Sequence, residues 1–544
     1  MNEALLISPV KASTLRLWWQ DGVIYQIYPR SFQDSNGDGV GDLAGILSRV
    51  DYLATLGISA VWISPFYPSP MADFGYDVAD YCNVDPLFGS LEDFDCLIAG
   101  IHERGLKLIL DFVPNHTSDQ HPWFLESRSS RDNPKRDWYL WRDPAPDGGL
   151  PNNWTSNFGG SGWTWDEHTG QHYFHSFLTQ QPDLNWRNPE VRKAIYDAMR
   201  FWLDKGVDGF RMDVLWLLIK DDQFRNNPPN PDWHGGSTAW SVLPTYTADR
   251  PETHKIVAEM RGVMAAYSER VLIGEIYLPL RDLVAYYGFD PNSADLHGAD
   301  MPFNFHLIQT EWNSERIAAL IREYESELPA GAWPNWVMGN HDQTRLATRI
   351  GPDQARIAAM LLLTLRGTPT LYYGDELGMT NGNIPPNMVH DPAEKNQPGI
   401  GMGRDPERTP MLWDASPHAG FSAGDPWLPI GEDAAWKNVA AQTEAKRSML
   451  ALYRRLLELR NLHPALHAGA VDEISGANGV LSYRRGLGAE HIQVFLNLTN
   501  DLRQVRCPDG TILATTILDG DGGHVNGDLI LEANEGVIVL LTEP

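Results

Sequence analysis

Residues 106–116 read LKLILDFVPNH, a short apolar run that ends in polar residues at Asp111, Asn115 and His116. Apolar runs of about four to eight residues, bounded by turn residues, are typical of strands buried inside a parallel sheet. A helical pattern at 91–104 comes directly before this run. A strand and a helix in alternation indicate right-handed βαβ units and a parallel sheet.

The same alternation continues along the chain on both sides of this run. Helical patterns lie between the apolar runs, for example at 189–205. Eight such units imply a closed (β/α)8 TIM barrel, an α/β fold whose parallel strands form the inner ring. The predicted strands are 23–28, 60–64, 106–112, 208–213, 271–275, 302–305, 336–339 and 370–373.

Three further stretches predict additional structure around the barrel. Residues 117–186, rich in Trp, Asn, Gly and Asp, predict a subdomain inserted after the third strand. Residues 377–435 predict a long functional loop after the eighth strand. After a predicted helix at 444–462, short alternating runs predict a C-terminal antiparallel β-sandwich. The predicted domains are the barrel at 1–116 and 187–469, the insert at 117–186 and the C-terminal domain at 470–544.

The composition of the 544 residues excludes several classes of protein. Lys and Arg number 43 against 71 Asp and Glu, and this net charge of −28 argues against nucleic acid and anionic membranes as partners. No apolar run approaches the ~20 residues of a membrane-spanning helix. The start, Met1 to Ala4, lacks the basic segment of a secretory signal, and three cysteines give no disulfide framework. We therefore expect a cytoplasmic protein, monomeric or homodimeric.

Carboxylates follow four of the predicted strands, at Asp111, Asp213, Glu275 and Asp342. One Asp after a strand is ordinarily the N-cap of the next helix, but four such residues are hard to explain as caps. The carboxyl ends of barrel strands meet at one face, where mutual repulsion raises the pKa of one carboxyl and leaves another ionised. A neutral acid beside an ionised nucleophile is the equipment for glycoside hydrolysis. Arg211 lies on the same face of its strand as Asp213 and can keep that carboxylate ionised.

Six sequence blocks occur in order on these strands and their loops. They are DFVPNHTS at 111–118, QPDLNW at 181–186, GFRMDV at 209–214, GEIY at 274–277, MGNHD at 338–342 and RTPM at 408–411. With them the chain resembles the α-amylase superfamily, glycoside hydrolase family 13, and within it the oligo-1,6-glucosidase and α-glucosidase branch. Any one block is a weak signal, but the whole set covers nearly the entire chain.

The resemblance implies a role for each residue that matches a family motif. Asp213 is implied to be the nucleophile, Glu275 the general acid/base and Asp342 the stabiliser of the transition state. The branch pairs Asp73 with an arginine from the loop after the eighth strand, and the sequence leaves two candidates for it. Such a pocket is blocked behind the terminal glucose, so the enzyme should act from the chain end. The implied substrate-binding residues are Asp73, Tyr76, His116, Phe158, Phe177, Gln181, Arg211, His341, and Arg404 or Arg408.

Oxygen-bearing side chains alternate through DSNGDGVGD at 34–42. This spacing suits a hard cation, while the alternative is an Asx- and Gly-rich turn without metal. The loop is not a full EF-hand, because Gly45 stands where a bidentate Glu would be needed. The resemblance implies a structural Ca²⁺, with Mg²⁺ as the second candidate. The expected ligands are Asp34, Asn36, Asp38, the Val40 carbonyl and Asp42.

Two enzyme classes remain open from the sequence. The first is an exo-acting, retaining α-glucosidase for small α-glucosides that favours α-1,6 links, because Val214 accompanies that preference in the resembling branch. The second is a transglycosylase or isomerase acting on sucrose, trehalose or related disaccharides. Sucrose isomerases typically carry an Arg-rich stretch after the acid/base strand, and 302–307 contains no Arg pair. A non-catalytic, transporter-associated relative would lack the catalytic carboxylates, which this chain has.

Overall fold

The computed structural model of the protein describes residues 16–234 and 241–542. Met1 to Ala4, on which the expectation of a missing secretory signal rested, lie outside these ranges. The strands fall into three groups along the chain. The barrel and the insert contain β1 (Ile24–Ile27), β2 (Ala60–Ile63), β3 (Lys107–Phe112), β4 (Trp141–Arg142), β5 (Trp163–Asp166), β6 (Gln171–Phe174), β7 (Gly209–Met212), β8 (Val271–Gly274), β9 (Met301–Pro302), β10 (Asn335–Val337) and β11 (Thr368–Tyr372). The C-terminal domain contains β12 (Ala470–Ser475), β13 (Val480–Leu487), β14 (Glu490–Asn497), β15 (Arg503–Thr515), β16 (His524–Leu531) and β17 (Gly536–Leu541).

Eight parallel strands form the predicted barrel. Their order is β10-β11-β1-β2-β3-β7-β8-β9, which confirms all eight strands expected from the apolar runs. The two end strands, β9 and β10, meet through an asparagine side chain: Asn335 donates from Nδ2 to the Pro302 carbonyl (2.6 Å) and accepts from the Asn304 amide at Oδ1 (2.9 Å). Strands such as β1, β2, β7 and β8 are buried at every residue, as expected for a ring covered by helices.

The helices surround the barrel and begin at sequence-encoded caps. Ser90 and Asp93 form a reciprocal capping box at the start of α4, and Asn188 caps α6 ahead of a proline at its first position. The helices are α1 (Trp18–Asp21), α2 (Leu43–Ser48), α3 (Val50–Leu56), α4 (Leu91–Glu103), α5 (Pro122–Ser129), α6 (Pro189–Asp204), α7 (Glu252–Met264), α8 (Leu280–Ala285), α9 (His306–Gln309), α10 (Ser314–Glu327), α11 (Leu346–Ile350), α12 (Pro352–Thr364), α13 (Pro392–Asn396), α14 (Val439–Glu444), α15 (Met449–Leu462) and α16 (Pro464–His467).

The helix expected at 444–462 begins later than predicted. The structure ends α14 at Glu444 and starts α15 at Met449, because the Ser448 side chain accepts from the Ala451 amide and caps the new helix.

The segment between β3 and α6 carries its own small sheet, in the order β4-β6-β5. It is fastened to the barrel by a buried ion pair between Asp183 of this segment and Lys220 from the loop after β7. Lys220 also donates to Oδ1 of Asn115, at the end of β3 (2.7 Å). One cation therefore ties together three chain segments beside the barrel mouth.

The C-terminal domain is one six-stranded antiparallel sheet, in the order β12-β13-β14-β17-β15-β16. Two irregularities in β15, at 507–510 and 512–514, bend this long strand. One face of the sheet packs into the barrel core through side chains such as Tyr483 and Ile538. The other face has a separate core that includes Phe495 and Leu531. The bent sheet therefore encloses a second apolar layer, which explains the sandwich-like alternation of the sequence.

Across the ranges 16–234 and 241–542, no helix has the length and apolar character that a bilayer-spanning helix needs.

Candidate active site

Four carboxylates lie at the carboxyl-terminal mouth of the barrel. Asp111 is the penultimate residue of β3, Asp213 directly follows β7 and Glu275 directly follows β8. Asp342 lies in the loop after β10. Asp111, Asp213 and Glu275 are buried, whereas the Asp342 side chain is 23% exposed. Parallel strands place their carboxyl ends at the same face, so residues distant in sequence converge here.

Arg211 joins three of these carboxylates from below. Its Nη1 lies 2.8 Å from Oδ1 of Asp111 and 2.8 Å from Oδ1 of Asp213, and its Nη2 lies 2.9 Å from Oε2 of Glu275. The side chain of Arg211 is fully buried. A planar guanidinium with several donors can hold three carboxylates in one geometry, which a lysine could not do.

The backbone at Val214 completes the contacts of Glu275. The Val214 amide donates to Oε2 of Glu275 over 2.9 Å. Val214 has φ 38° and ψ 44°, the left-handed region that β-branched residues rarely adopt. The Val214 N–H and the Arg211 guanidinium, one by a hydrogen bond and the other as an ion pair, therefore lie beside the same carboxyl oxygen.

The electrostatics of the cluster favour a shared proton. Burial raises the pKa of Asp213 well above its ordinary value, and the charge of Glu275 raises it further. Burial also raises the pKa of Glu275, although Arg211 opposes this. Burial likewise raises the pKa of Asp111, to about 7, and Arg211 again opposes the shift. One cation facing three carboxylates leaves excess negative charge, so the group takes up a proton at neutral pH.

Asp342 differs from these residues because cations surround it. Burial opposes its ionisation, but the charges of Arg404 and Arg408 hold the pKa of Asp342 below its ordinary value. Arg408 donates from Nη2 to Oδ1 of Asp342 (2.9 Å) and from Nε to the His341 carbonyl (2.7 Å). Asp342 therefore stays ionised beside carboxyls that share a proton.

The arginine that pairs with Asp73 is Arg404. Its Nη2 donates to Oδ1 of Asp73 over 2.7 Å, and Gln181 donates to Oδ2 of the same carboxylate (3.1 Å). Arg404 also donates from Nε to Asp391 (2.6 Å). Both arginines donate to Oδ1 of Asp342, Arg404 from Nη1 (3.2 Å) and Arg408 from Nη2 (2.9 Å), but of the two it is Arg404 that reaches Asp73.

The two histidines are neutral and held by hydrogen bonds. Burial lowers the pKa of His341 well below its ordinary value and that of His116 to about 4. The Gln26 side-chain amide lies 2.8 Å from Nδ1 of His341, and the Tyr76 hydroxyl lies 2.6 Å from Nε2. Because the Gln26 nitrogen can only donate, Nε2 of His341 carries the proton and donates to Tyr76, which donates in turn to Asp111 (3.0 Å).

A cavity of about 640 Å³ opens above these residues. Phe158 and Phe177 from the inserted segment meet edge to face, with ring centroids 5.5 Å apart, and Arg404 stacks over Phe158. Three of the predicted binding residues do not line the cavity but contact residues that do. Arg211 contacts Asp213, His341 contacts Tyr76 and Arg408 contacts Asp342. The lining residues are Asp73, Tyr76, His116, Asn157, Phe158, Phe177, Gln181, Asp213, Val214, Trp216, Leu217, Glu275, Tyr277, Gln309, Asp342, Gln343, Met402 and Arg404.

The sequence predicts Asp111 as one of four strand-end acids but does not predict its supporting role, which is to anchor both Arg211 and Tyr76. Asp391 was not noted, although it holds Arg404. The dipeptide Asp391-Pro392 signals an N-cap, and Asp391 does cap α13 by accepting from Ala393. Asp391 therefore both caps α13 and holds Arg404, and the sequence predicts the cap but not the contact with Arg404.

The loop at 34–42 is closed by its own hydrogen bonds. Asp34 accepts from the amides of Asn36, Gly37 and Gly39 and from the Ser422 hydroxyl. Within 16–234 and 241–542, no cluster of three His, Cys, Asp or Glu side chains is arranged to hold a metal ion. The donors present are nevertheless oxygens of the kind that Ca²⁺ takes. The calcium site stays a prediction.

Strand-end carboxylates joined by a buried arginine below a cavity define the class as (β/α)8-barrel glycoside hydrolases. Residues 26–469 match the family described as alpha amylase, catalytic domain. The chain belongs to this family, as the sequence resemblance implied, and it is a glycoside hydrolase.

Relatives along nearly the whole chain have related names. A probable alpha-glucosidase of Rhizobium meliloti is 42% identical over 507 residues, covering 91% of each chain. An oligo-1,6-glucosidase of Parageobacillus thermoglucosidasius is 38% identical over 537 residues, covering 92% of this chain and 94% of the relative. Among solved structures, the alpha-glucosyl transfer enzyme XgtA superposes with a TM-score of 0.90 at 40% identity, covering 96% of this chain and 99% of its own. A mutant isomaltulose synthase from Erwinia rhapontici NX5 in complex with sucrose has a TM-score of 0.89 at 36% identity, covering 98% and 100%.

Proposed function

We propose that the protein is an exo-acting, retaining α-glucosidase that releases glucose from the non-reducing end of small α-glucosides. The observation that carries this proposal is the contact between Asp213 and Glu275, whose carboxyls are close enough to hydrogen-bond and share Arg211. Inverting enzymes keep their two carboxyls about 6.5–9.5 Å apart to hold a water between them. The close pair supports a covalent, two-step route.

In the first step, an oxygen of Asp213 attacks the anomeric carbon and forms a glucosyl ester. Glu275 gives its proton to the glycosidic oxygen, and that oxygen leaves with the aglycone as an alcohol. In the second step, a water oxygen attacks the same carbon, its proton passes to Glu275, and Asp213 leaves as a carboxylate. Ionised Asp342 and the Arg211-anchored carboxylates stabilise the positive charge that develops on the sugar ring.

The exo mode is proposed from two pairs of side chains that line the cavity. These are the Asp73–Arg404 ion pair and the Phe158–Phe177 aromatic pair. Asp73 and Arg404 offer an acceptor and a donor to hydroxyls of a terminal glucose, and an aromatic wall packs against its apolar C–H face. We propose that these pairs block one end of the pocket, so that only a chain end is admitted.

The preference for α-1,6 links is proposed from Val214, which lines the cavity beside the nucleophile. A β-branched side chain has a stiff χ1 and narrows the space for the leaving sugar. An α-1,6 link adds a rotatable C5–C6 bond, so its aglycone can swing past the methyl groups. An α-1,4 aglycone is held closer and clashes, at a cost of about 1–3 kcal/mol in discrimination.

Glucosyl transfer or isomerisation is the second candidate, favoured by the solved relatives named for those reactions. Purified enzyme should be incubated with isomaltose, maltose, trehalose, sucrose and nitrophenyl α-glucoside while products are followed over time by proton NMR. We expect α-glucose as the first-formed anomer, with isomaltose cleaved fastest. First-formed β-glucose would overturn retention, and a new disaccharide as the main product would favour the second candidate.

A further inference from the structure

Val214 is held in a backbone conformation that its side chain disfavours. Its φ of 38° lies in the left-handed region, and it is the single β-branched residue among the non-glycine residues with positive φ in the described ranges. Such strain persists only where the surrounding structure enforces it, and it concentrates at functional sites. The strain calls for a physical reason at this position.

The surrounding turn fixes this conformation from both sides. The preceding residue, Asp213, donates its amide to the Phe112 carbonyl (2.8 Å). On the other side, the Leu217 amide donates to the Val214 carbonyl (2.9 Å). Leu215 to Leu217 form a buried 3-10 turn that starts at Val214. The left-handed residue is the point where the chain leaves β7 and turns across the mouth of the barrel.

The result of the turn is that the Val214 N–H points at the general acid/base. It donates to Oε2 of Glu275 over 2.9 Å, and Nη2 of Arg211 lies 2.9 Å from the same oxygen. Because the Val214 N–H donates to Oε2 and the positive charge of Arg211 lies beside the same oxygen, the proton of a neutral Glu275 belongs on Oε1, the other carboxyl oxygen. A hydrogen bond to an ionised carboxylate is among the stronger kinds in proteins.

We propose that the strained Val214 amide is a positioning group of the reaction, which together with Arg211 fixes Oε2 of Glu275 and leaves Oε1 as the oxygen that carries the proton to the glycosidic oxygen. The proposal rests on the proposed function, since it needs Glu275 as the acid/base. It adds that residue 214 acts twice, through its side chain on the aglycone and through its backbone on the acid. Nothing in the family motifs requires the second role.

The proton affinity of Glu275 depends on every charged group that faces it. The Val214 hydrogen bond lowers the pKa of Glu275, because a donor stabilises the ionised form, so loss of that donor must raise the pKa. The proton of the acid is then retained to higher pH, and the basic limb of the kcat/KM profile moves up. The charged and titratable groups around Glu275 are Arg211, Asp111, Asp213, Asp342 and Tyr277.

The test removes the N–H alone. Valine at 214 is replaced by α-hydroxyisovaleric acid, which puts an ester oxygen in place of the amide nitrogen and keeps the side chain. We expect kcat to fall about tenfold with a smaller change in KM, and the basic limb to move up by about half to one pH unit. The matched control is the α-hydroxy analogue of leucine at 217, which breaks a hydrogen bond of the same turn but none to Glu275. Its basic limb should stay in place.

Two genetic variants test the strain separately. Val214→Ala and Val214→Gly both keep the N–H and lose the methyl groups, but only glycine accepts this φ without cost. Val214→Gly should therefore melt about 1–2 °C above Val214→Ala. If the ester at 214 leaves the basic limb where the control leaves it, while Glu275→Gln is inactive, the positioning role is wrong and the proposed function stands. If Glu275→Gln remains active, the proposed function itself fails.

Discussion

Arg404 donates from Nη2 to Oδ1 of Asp73 over 2.7 Å, so the loop after β11 and the loop after β2 meet at the closed end of the cavity. Asp391 accepts a hydrogen bond from Nε of the same Arg404 guanidinium. The pair therefore presents a fixed donor and acceptor to whatever occupies the end of the pocket. Arg408, four residues further on, donates to Asp342 and to the His341 carbonyl, while Arg404 contacts both Asp73 and Asp342.

This difference predicts distinct kinetic effects at the two arginines. Arg404→Lys loses the fork that joins Asp73, Asp391 and Asp342, so KM for isomaltose should rise roughly 10-fold or more, and kcat should also fall through the lost contact to Asp342. Arg408→Lys should mainly lower kcat, because Asp342 loses a donor that keeps it ionised. Steady-state kinetics of both variants, with melting curves to confirm folding, checks this. Equal effects on KM and kcat in the two variants would contradict the division of roles.

The linkage preference predicts the behaviour of Val214→Ala. Removing the two methyl groups relieves the clash with α-1,4 aglycones, so the ratio of kcat/KM for isomaltose to that for maltose should fall roughly tenfold. The variant retains the backbone N–H to Glu275, so activity on nitrophenyl α-glucoside serves as the internal reference. A wild-type preference for maltose, or an unchanged ratio in the variant, would show that Val214 does not set the preference.

The proposed calcium site predicts a metal-dependent melting temperature. A cation bound only by the folded loop at 34–42 adds about 2.7 kcal/mol when it is present at 100 times its dissociation constant. Chelator should therefore lower the melting temperature, and Ca²⁺ should restore it better than Mg²⁺. Asp38→Ala is the matched variant, since Asp38 is exposed and within this loop accepts from the Val40 amide. The site is refuted if chelator leaves the wild type unchanged.

The free energy of unfolding should depend on pH through Glu407, a buried carboxyl close to Arg408 and Arg345. Burial raises the pKa of Glu407 to about 8, against 4.5 in an unfolded chain, although Arg408 opposes this. The folded state then binds the proton more tightly, so wild-type stability falls as pH rises from about 5 to about 8, by about 1.4 kcal/mol per pH unit at most. Glu407→Gln mimics the neutral form and should lose this slope. Parallel stability curves for both proteins between pH 5 and 8 would contradict the assignment.

The barrel could be predicted from sequence because its strands are short, apolar and bounded by turns. The β-domain was harder, because its layers depend on bends inside one long strand, β15, which no local pattern marks. The predicted helix at 444–462 failed at its start for a related reason. Ser448 reads as an ordinary residue inside a helical pattern, and only its bond to the Ala451 amide shows that a new helix begins there.

The site followed a similar division. Residues inside family blocks, such as Asp213 and Glu275, could be placed because each block sits at the end of a strand. Arg404 and Arg408 could not be separated, since both lie in one loop whose path is fixed by Asp391, a residue that looks like a plain helix cap. The positive φ of Val214 could not be predicted from the sequence either, because valine rarely adopts the left-handed conformation and nothing local marks this one.

We propose that Asp213 forms a covalent glucosyl ester and that Glu275 assists both its formation and its hydrolysis. The most direct measurement uses Glu275→Gln with an activated α-glucosyl fluoride, whose leaving group needs no proton, followed by peptide mapping in a mass spectrometer. Formation of the ester should proceed while its hydrolysis stalls, so we expect a glucosyl adduct on the peptide that contains Asp213. The Asp213→Asn, Glu275→Gln double variant should carry no adduct. An adduct on another residue, or full turnover to β-glucose without any adduct, would contradict it.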